Sequence, residues 1–500
     1  MGKKVLLVAE DAYLDPLGLF YLSSVAKQEG WTPKIILSKG PEYSEIERTL
    51  KEFQPDALGF TLYTGNHVPA GKYLRKIKER DRKLVTIVGG PHPTYFPQDS
   101  AEYADYVVVG EGLNSFRRIL RGEVENGIVT LLKTEPFPVA DREAFYAENP
   151  SHNEKPMKTV IASVGCPYKC THCYNSNNIE EVEGFTEEQV KEMEHALSSK
   201  KFFPLSQRTV DEVIEEVKSL REISPATEML FFEDDVFGIN LDWLKEFVGK
   251  YQQMLPFHAN MRQEFIDPKK SVGIERLELL KEAGCTGLSL AIESGNETVR
   301  REILNRNTPE ELIFRAMEHL AKFGFKARTY QMLGLPYGLT THPTKMNLDA
   351  DLETLELNVR LRQQTGLPTF SWASILTPYP GTKIAKYCSQ YGFYNGNLED
   401  LVGDETYRTG SVLRHLKRWI GPSAPIEEQD RLSPEEQERY KKQLILLMNY
   451  FPLFARIEEG HALARDFLSQ EDFSSAGLNK AVRQHIYSNS LFSVEGFNLK

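Results

Sequence analysis

Short apolar runs alternate with amphipathic stretches in the N-terminal part of the chain. The runs have the length and aliphatic content of buried strands, and the stretches between them place apolar residues at helical spacing. This alternation predicts a doubly wound, Rossmann-like parallel sheet with helices on both faces. The predicted strands are residues 4–9, 33–37, 57–62, 84–88 and 106–109, and the predicted helices are residues 16–30, 43–53 and 70–80.

A second series of alternating strands and helices begins near Lys158. Its six strands and the helices between them fit a partial parallel barrel, (β/α)6, better than another open sheet. An acidic insertion at residues 179–207, with an amphipathic helix at 187–197, interrupts the series and is either a cover over the site or a solvated surface excursion. The predicted strands are residues 159–164, 228–232, 257–261, 287–292, 327–333 and 369–376, with helices at 210–223, 241–254, 274–283, 309–323 and 346–364.

These patterns divide the chain into successive parts. The N-terminal sheet occupies residues 1–145, and a polar, proline-bearing linker follows at 146–157. The partial barrel takes residues 158–400. The predicted fold class is therefore α/β with two parallel sheets, followed by a helical C-terminal region. That region is residues 401–500, with helices at 432–460, 462–468 and 478–487.

Composition narrows the classes of function. With 41% hydrophobic and 26% charged residues, the 500-residue chain has the composition of an ordinary globular protein. Its net charge of −11 and the lack of a dense Lys/Arg stripe argue against double-stranded nucleic acid as the main partner. No apolar run reaches the roughly 18 residues that a membrane span needs. No signal peptide is recognised either, so a cytoplasmic location is expected.

Three of the five cysteines cluster in a C-x3-C-x2-C loop at the end of a predicted strand. Such a loop, with three soft thiolates and no obvious fourth ligand, is suited to an iron–sulfur cluster with one open iron. A zinc site that recruits a further cysteine or a histidine such as His172 is the main alternative, and a disulfide with a spare thiol is a weaker one. Cys285 and Cys388 are expected to be packing residues. The loop cysteines are Cys166, Cys170 and Cys173.

The cysteine loop resembles the cluster motif of the radical S-adenosylmethionine (SAM) enzymes. The resemblance implies that the three loop cysteines bind a [4Fe-4S] cluster, whose open iron takes the amino and carboxylate groups of SAM. It also implies that electron transfer into SAM releases a 5′-deoxyadenosyl radical. The family usually has an aromatic residue before the third cysteine, where this chain has His172 followed by Tyr174.

Further strand ends resemble SAM-contacting elements of the same family. Residues 231–235 stand where the family often has a Gly-Gly-Glu-type element, but the glycines are absent and an acidic turn capping the next helix is the alternative. Residues 291–295 and 332–336 look like the ribose-contacting and adenine-lining elements, and residues 376–382 follow the last strand in a similar way. The implied SAM-binding residues are Tyr174, Glu233, Asp234, Glu293, Ser294, Leu333 and Gly334.

The N-terminal domain resembles the cobalamin-binding module that precedes the barrel in one subgroup of radical SAM enzymes. The matching segments are residues 16–22, 88–94 and 105–112. The chain lacks the Asp-x-His-x-x-Gly motif whose histidine ligates cobalt in mutase-type modules, and many subgroup members likewise hold cobalamin without a protein ligand. Some members of the fold bind no cobalamin, so a purely structural role for His92 and for the loop glycines stays open. The implied cobalamin-binding residues are Leu17, Gly18, Tyr63, Thr64, Gly89, Gly90, Pro91, His92, Glu111 and Gly112.

The two resemblances together imply a radical SAM enzyme that methylates an unactivated centre of a small molecule through methylcobalamin. A dehydration, cyclisation or rearrangement without methyl transfer remains an alternative, and a non-catalytic iron–sulfur sensor is the alternative from another class. A reductant such as flavodoxin or ferredoxin is the expected protein partner. The sequence specifies neither the substrate, nor a catalytic residue, nor the oligomeric state.

Overall fold

The computed structural model of the chain contains two compact units. Unit 1 consists of Met1–Tyr168 and Asn175–Thr227, and unit 2 consists of Lys169–Tyr174 and Glu228–Lys500. The chain therefore passes between the units within the cysteine loop, and the predicted division at residues 146–157 stays a prediction. The structure describes residues 2–12, 14–40, 42–130, 136–336, 348–390, 394–396, 398, 401, 416–418, 430–431 and 433–469.

A parallel sheet of six strands, in the order β2-β1-β3-β4-β5-β6, forms the centre of unit 1. Five strands match the predicted ones, whereas β6 was not predicted because it begins with a glycine and has only two apolar residues. The strands are β1 Lys4–Glu10, β2 Thr32–Ser38, β3 Ala57–Thr61, β4 Val85–Gly89, β5 Tyr106–Val108 and β6 Gly127–Val129. The helices are α1 Leu17–Gln28, α2 Ser44–Phe53, α3 His67–Arg80, α4 Pro91–Tyr95, α5 Pro97–Ala101 and α6 Leu113–Arg121.

Successive residues of the central strands face opposite layers of helices. Val5 packs in one hydrophobic core with Phe20 of α1, and Leu6 packs in a second core with Leu74 of α3. The strand order reverses between β1 and β3. In open parallel sheets, ligands bind beyond the carboxyl ends of the strands at such a switch point. The loops after β1, β3, β4 and β5 are therefore the expected ligand loops of unit 1.

Short strands and helices complete unit 1. The prediction of one strand over residues 159–164 is wrong at its C-terminal end, because β7 (Met157–Val160) ends at Val160. A separate strand, β8 (Ser163–Val164), pairs antiparallel with β9 (Ser206–Gln207). A two-stranded ladder therefore leads directly into the cysteine loop. The remaining helices are α7 Arg142–Glu148, α8 Pro150–Asn153, α9 Glu187–Leu197 and α10 Val210–Ile223, and the last two have the predicted bounds.

Unit 2 contains five parallel strands in the order β14-β13-β12-β11-β10. They are β10 Met229–Phe232, β11 Phe257–Met261, β12 Cys285–Glu293, β13 Lys326–Leu333 and β14 Phe370–Ile375, and a small antiparallel pair, β15 Leu416–Arg418 and β16 Asp430–Arg431, follows them. The helices are α11 Leu241–Tyr251, α12 Ser271–Glu282, α13 Glu310–Lys322, α14 Leu348–Thr365, α15 Lys383–Gln390, α16 Pro434–Phe454 and α17 Gly460–Ser469.

The predicted fold class is confirmed. The chain is α/β, with a doubly wound parallel sheet, the parallel strands of a partial barrel, and helices α16 and α17 in the described part of residues 401–500. The predicted helix at 478–487 lies outside the described residues. None of the described helices is both long enough and apolar enough to cross a membrane.

Candidate functional site

The segment that carries Cys166 is fixed to unit 1 by backbone contacts. Gly165 has φ +85°, and a Cβ there would lie 2.4 Å from the carbonyl oxygen of Phe203. Only glycine fits, because a side chain would meet backbone in a conformation that L residues rarely adopt. The Lys201 ammonium donates hydrogen bonds of 2.9 and 2.8 Å to the carbonyl oxygens of Cys166 and Tyr168. The end of the acidic insertion therefore holds the first loop cysteine in place.

The second and third loop cysteines belong to unit 2. Between them, Thr171 donates its hydroxyl to the carbonyl oxygen of Ile303 at 2.6 Å, and its N–H donates to that of Leu304 at 3.2 Å. The Cys173 N–H donates to the carbonyl oxygen of Cys170 at 3.2 Å, which closes a tight turn. Cys170 is buried and Cys173 is half-buried. These bonds fix the part of the loop that carries two of the predicted cluster ligands.

Two buried guanidinium groups lie against the Cys170 sulfur. Arg262 Nη1 is 3.6 Å and Arg306 Nη1 is 3.7 Å from Cys170 Sγ. Cationic donors favour the thiolate, and hydrogen bonds to the sulfurs tune the reduction potential of an iron–sulfur cluster. A soft thiolate with cationic neighbours fits an anionic [4Fe-4S] cluster. Within the described residues, no group of three or more His, Cys, Asp or Glu side chains is arranged to hold a single metal ion.

A turn at the end of β12 places Glu293 beside these cations. Glu293 has φ +72°, a left-handed conformation that costs a non-glycine residue roughly 1–3 kcal/mol. Its Oε1 atom lies 3.6 Å from both Arg306 Nη1 and His172 Nε2. Burial lowers the pKa of His172, and the Glu293 carboxylate opposes that shift. The strained turn thus presents a carboxylate next to the cysteine loop, where a polar cofactor such as SAM would be bound.

The helix α14 and a buried arginine support this turn. Arg300 is fully buried and donates to the carbonyl oxygens of Ser294 at 2.7 Å and Gly295 at 2.9 Å. The Gly295 N–H donates to Thr354 Oγ1 at 2.9 Å. A Cβ on Gly295 would lie 2.3 Å from the Glu353 carbonyl oxygen, so the turn packs directly on the backbone of α14.

The other predicted SAM-binding residues lie at the carboxyl ends of neighbouring strands, apart from Tyr174. The carboxyl ends of parallel strands share one edge of a sheet, which brings the acidic residues after β10 to the same edge as the β12 turn. Carboxylates suit the ammonium of SAM, and the turn after β13 requires Gly334, whose φ of +71° is a conformation that L side chains rarely adopt. Tyr174 lies in the cysteine loop, with its ring centre 5.8 Å from that of Tyr379. The strand-end residues are Glu233, Asp234, Ser294, Leu333 and Gly334.

The predicted cobalamin-binding residues lie at the carboxyl edge of the unit 1 sheet. The loops there are joined to one another, and the Gly110 N–H donates to Thr94 Oγ1 at 3.0 Å. A Cβ on Gly18, in the first turn of α1, would meet no atom within 4 Å, and Tyr63 is 55% exposed. Open backbone at Gly18 and an exposed aromatic ring at Tyr63 each fit a large flat macrocycle such as a corrin. The residues at this edge are Leu17, Gly18, Tyr63, Thr64, Gly89, Gly90, Pro91, His92, Glu111 and Gly112.

His92 is fully buried within this edge. Its Nδ1 lies 3.1 Å from the Thr64 hydroxyl, its Nε2 lies 3.0 Å from an Asp99 carboxylate oxygen, and its ring stacks on that of His67 at 4.0 Å. Because Nε2–H donates to the carboxylate, Nδ1 accepts from the Thr64 hydroxyl. Burial lowers the pKa of His92, and this effect exceeds the opposing effect of Asp99. The lowered pKa favours the neutral ring. Nδ1 thus holds the loop after β3, and Nε2 holds α5.

We expect His92→Ala to weaken cobalamin binding without changing the cobalt ligand. The substitution leaves a buried hydroxyl and a carboxylate without their partner, which costs roughly 1–3 kcal/mol and loosens the Thr64 loop. The affinity for hydroxocobalamin, titrated by visible absorbance, should fall roughly tenfold with unshifted absorption bands. His195→Ala, on the exposed side of α9, is the control. Shifted bands in the variant would instead identify His92 as a cobalt ligand.

Sequence reasoning missed the side chains that support the site. Arg262 directly follows Met261 at the end of β11, so its position at a strand end was a usable signal. The local sequence gives no such strand-end signal for the other three residues, Arg300, Arg306 and Asp99, which lie in helices or loops. They were missed because their roles depend on contacts with distant parts of the chain.

Two family models match the chain. Residues 3–120 match the B12 binding domain, and residues 160–340 match the Radical SAM superfamily. These two ranges contain every residue predicted to bind cobalamin, the cluster or SAM.

Several known proteins are similar over most of the chain. The uncharacterized methyltransferase PH0819 of Pyrococcus horikoshii is 24% identical over 401 residues, which cover 74% of this chain and 78% of that protein. The cytidylyl-2-hydroxyethylphosphonate methyltransferase of Streptomyces wedmorensis is 22% identical over 451 residues, 79% of this chain and 82% of that protein. The structure of the radical SAM methyltransferase TsrM from Kitasatospora setae, with cobalamin and a [4Fe-4S] cluster, is 16% identical with a TM-score of 0.55, over 78% of this chain and 76% of that one. This last likeness shows a shared fold.

Proposed function

We propose that the chain is a cobalamin-dependent radical SAM methyltransferase, because residues 3–120 match the B12 binding domain and residues 160–340 match the Radical SAM superfamily. Its reaction is methyl transfer to an unactivated centre of a small molecule. One observation carries the proposal: a single chain combines a three-cysteine loop with an open, glycine-bearing edge of a B12 binding domain. The two curated relatives described above are named methyltransferases, which favours methyl transfer over other radical reactions.

Each group of residues has a separate task in this reaction. The loop cysteines hold the cluster and leave one iron open for SAM. Arg262 and Arg306 place positive charge beside the Cys170 sulfur, while Glu293 and Gly334 bind and orient SAM. When bound, the cluster and SAM supply a 5′-deoxyadenosyl radical and cobalamin supplies the methyl group. The protein contributes position and the exclusion of water from the reacting centre.

The proposal is tested with anaerobically reconstituted protein, hydroxocobalamin, a strong reductant and SAM that carries a deuterated methyl group. We expect 5′-deoxyadenosine to be released. We also expect the label to pass from SAM to cobalamin, because SAM methylates the cobalamin of such a methyltransferase. Mass spectrometry measures both products without knowledge of the substrate. Omission of cobalamin should remove the second product alone.

The two products separate the alternatives. Deoxyadenosine without labelled cobalamin would indicate a radical dehydration, cyclisation or rearrangement. Neither product from a fully loaded cluster would contradict the enzyme function and favour an iron–sulfur sensor.

The electron for SAM cleavage comes, in this proposal, from a flavodoxin or ferredoxin in the cytoplasm. Five cysteines in 500 residues, three of them in one loop, do not make a disulfide framework, which suits a reducing compartment.

A further inference from the structure

Asp351 is a buried carboxylate that joins the turn after β13 to the C-terminal helix α16. Its Oδ1 accepts from the backbone N–H of Gly334 at 2.7 Å, and its Oδ2 accepts from the Tyr440 hydroxyl at 2.8 Å. Asp351 is 4% exposed and Tyr440 is 6% exposed, so both bonds lie in an interior where water does not weaken them. Burial raises the pKa of Asp351 to about 7, and the bonds from Gly334 and Tyr440 oppose that rise.

One turn along α16, Leu444 covers the same glycine. Gly334 has φ +71°, and a Cβ there would lie 3.2 Å from Leu444 Cδ1. Leu444 and Tyr440 share one hydrophobic core with Leu333 of β13 and Leu355 of α14. The helix α16 therefore packs on both the backbone of this turn and the carboxylate that anchors it.

We propose that Tyr440 is a positioning residue of the SAM site, acting through Asp351 on the turn at Gly334. The inference rests on the proposed function, since only that function makes this turn part of a SAM site. A glycine has more backbone conformations than any other residue, and a bond from its N–H to a fixed carboxylate selects one of them. Tyr440 follows Asp351 by 89 positions. The C-terminal region therefore helps to position the turn at Gly334.

Tyr440→Phe tests this assignment, because it removes the hydroxyl and leaves the ring in the core. We expect the dissociation constant of SAM to rise roughly tenfold, as for the loss of a hydrogen bond to a charged group. Equilibrium dialysis of radiolabelled SAM against the reconstituted holoenzyme, with the cluster oxidised so that SAM is not cleaved, measures that constant. In turnover, KM for SAM should rise in parallel, whereas kcat for deoxyadenosine release at saturating SAM should stay within about twofold.

Tyr450→Phe is the matched control on the same helix. The ring of Tyr450 packs on Phe467 at 5.3 Å between centres, so the loss of its hydroxyl should leave SAM binding unchanged. Equal weakening by both substitutions would overturn the assignment, because it would show a general loosening of α16. If Tyr440→Phe lowers the thermal midpoint so far that the protein is unfolded, Asp351→Leu replaces it, because leucine has a similar shape and accepts neither hydrogen bond; the same weakening of SAM binding is expected.

The outcomes for wild-type protein and variant are independent. Failure of the wild-type holoenzyme to bind or cleave SAM would contradict the proposed function. Normal SAM binding by wild type and equally tight binding by Tyr440→Phe and Asp351→Leu would overturn only the role of Tyr440.

Discussion

Alanine at any one loop cysteine is expected to abolish both the brown iron–sulfur absorbance and the release of 5′-deoxyadenosine. Three thiolates are the minimum that holds a cluster while one iron stays open, so a two-ligand loop should lose iron on desalting. Iron and sulfide content, the visible spectrum and deoxyadenosine are measured after anaerobic reconstitution. The variants are Cys166→Ala, Cys170→Ala and Cys173→Ala.

The two other cysteines provide matched controls. Burial raises the pKa of Cys285 to about 12, and it raises that of Cys388 further, so both are inert thiols in the core. Cys285→Ala and Cys388→Ala should keep a full cluster and its activity. A full cluster in any of the three loop variants would show that the cluster has a different set of ligands, and loss of the cluster in Cys285→Ala would assign a ligand outside the loop.

Gly295→Ala is expected to lower the free energy of unfolding by about 2–4 kcal/mol and to weaken SAM binding at least ~10-fold. The added Cβ would lie 2.3 Å from the carbonyl oxygen of Glu353 and 2.6 Å from the Thr354 Cα, both in the backbone of α14. Because helix backbone does not yield as a side chain does, the turn must move away and take the Glu293 carboxylate with it. Denaturant unfolding followed by circular dichroism, and dialysis with labelled SAM, measure the two effects.

The control for this prediction is Gly249→Ala. Gly249 lies inside α11, and a Cβ there would meet no atom within 4 Å. Alanine should therefore stabilise the helix by about 0.5–1 kcal/mol and leave SAM binding unchanged. If Gly295→Ala were destabilised as expected and still bound SAM normally, the turn after β12 would be a structural element only.

Much of the fold could be predicted because its signals are local. Helices α9 and α10 have the predicted bounds, since each begins with a threonine cap that accepts a hydrogen bond from the third residue of the helix. The strand β6 and the break between β7 and β8 were missed. β6 has only two apolar residues and β8 has only two residues in all, so their strand character depends on pairing with neighbours.

Part of the candidate site was equally predictable. The cysteine spacing and the Glu-Ser-Gly turn stand in short contiguous stretches, so their resemblance to a family can be recognised from the order of residues alone. The roles of Arg306 and Tyr440 cannot be recognised in this way. Arg306 reaches the Cys170 sulfur across 136 positions, and Tyr440 reaches Asp351 across 89.

The order of strands and helices, the α/β class and a thiolate loop that resembles the radical SAM cluster motif can all be recognised in the sequence alone. Hydrophobic period and motif spacing are properties of neighbouring residues, so the linear chain contains them in full. Only the tertiary structure decided which cations lie beside Cys170, that His92 is enclosed rather than exposed, and that α16 holds the turn at Gly334. These depend on burial and on contacts between distant residues, which exist only once the chain is packed.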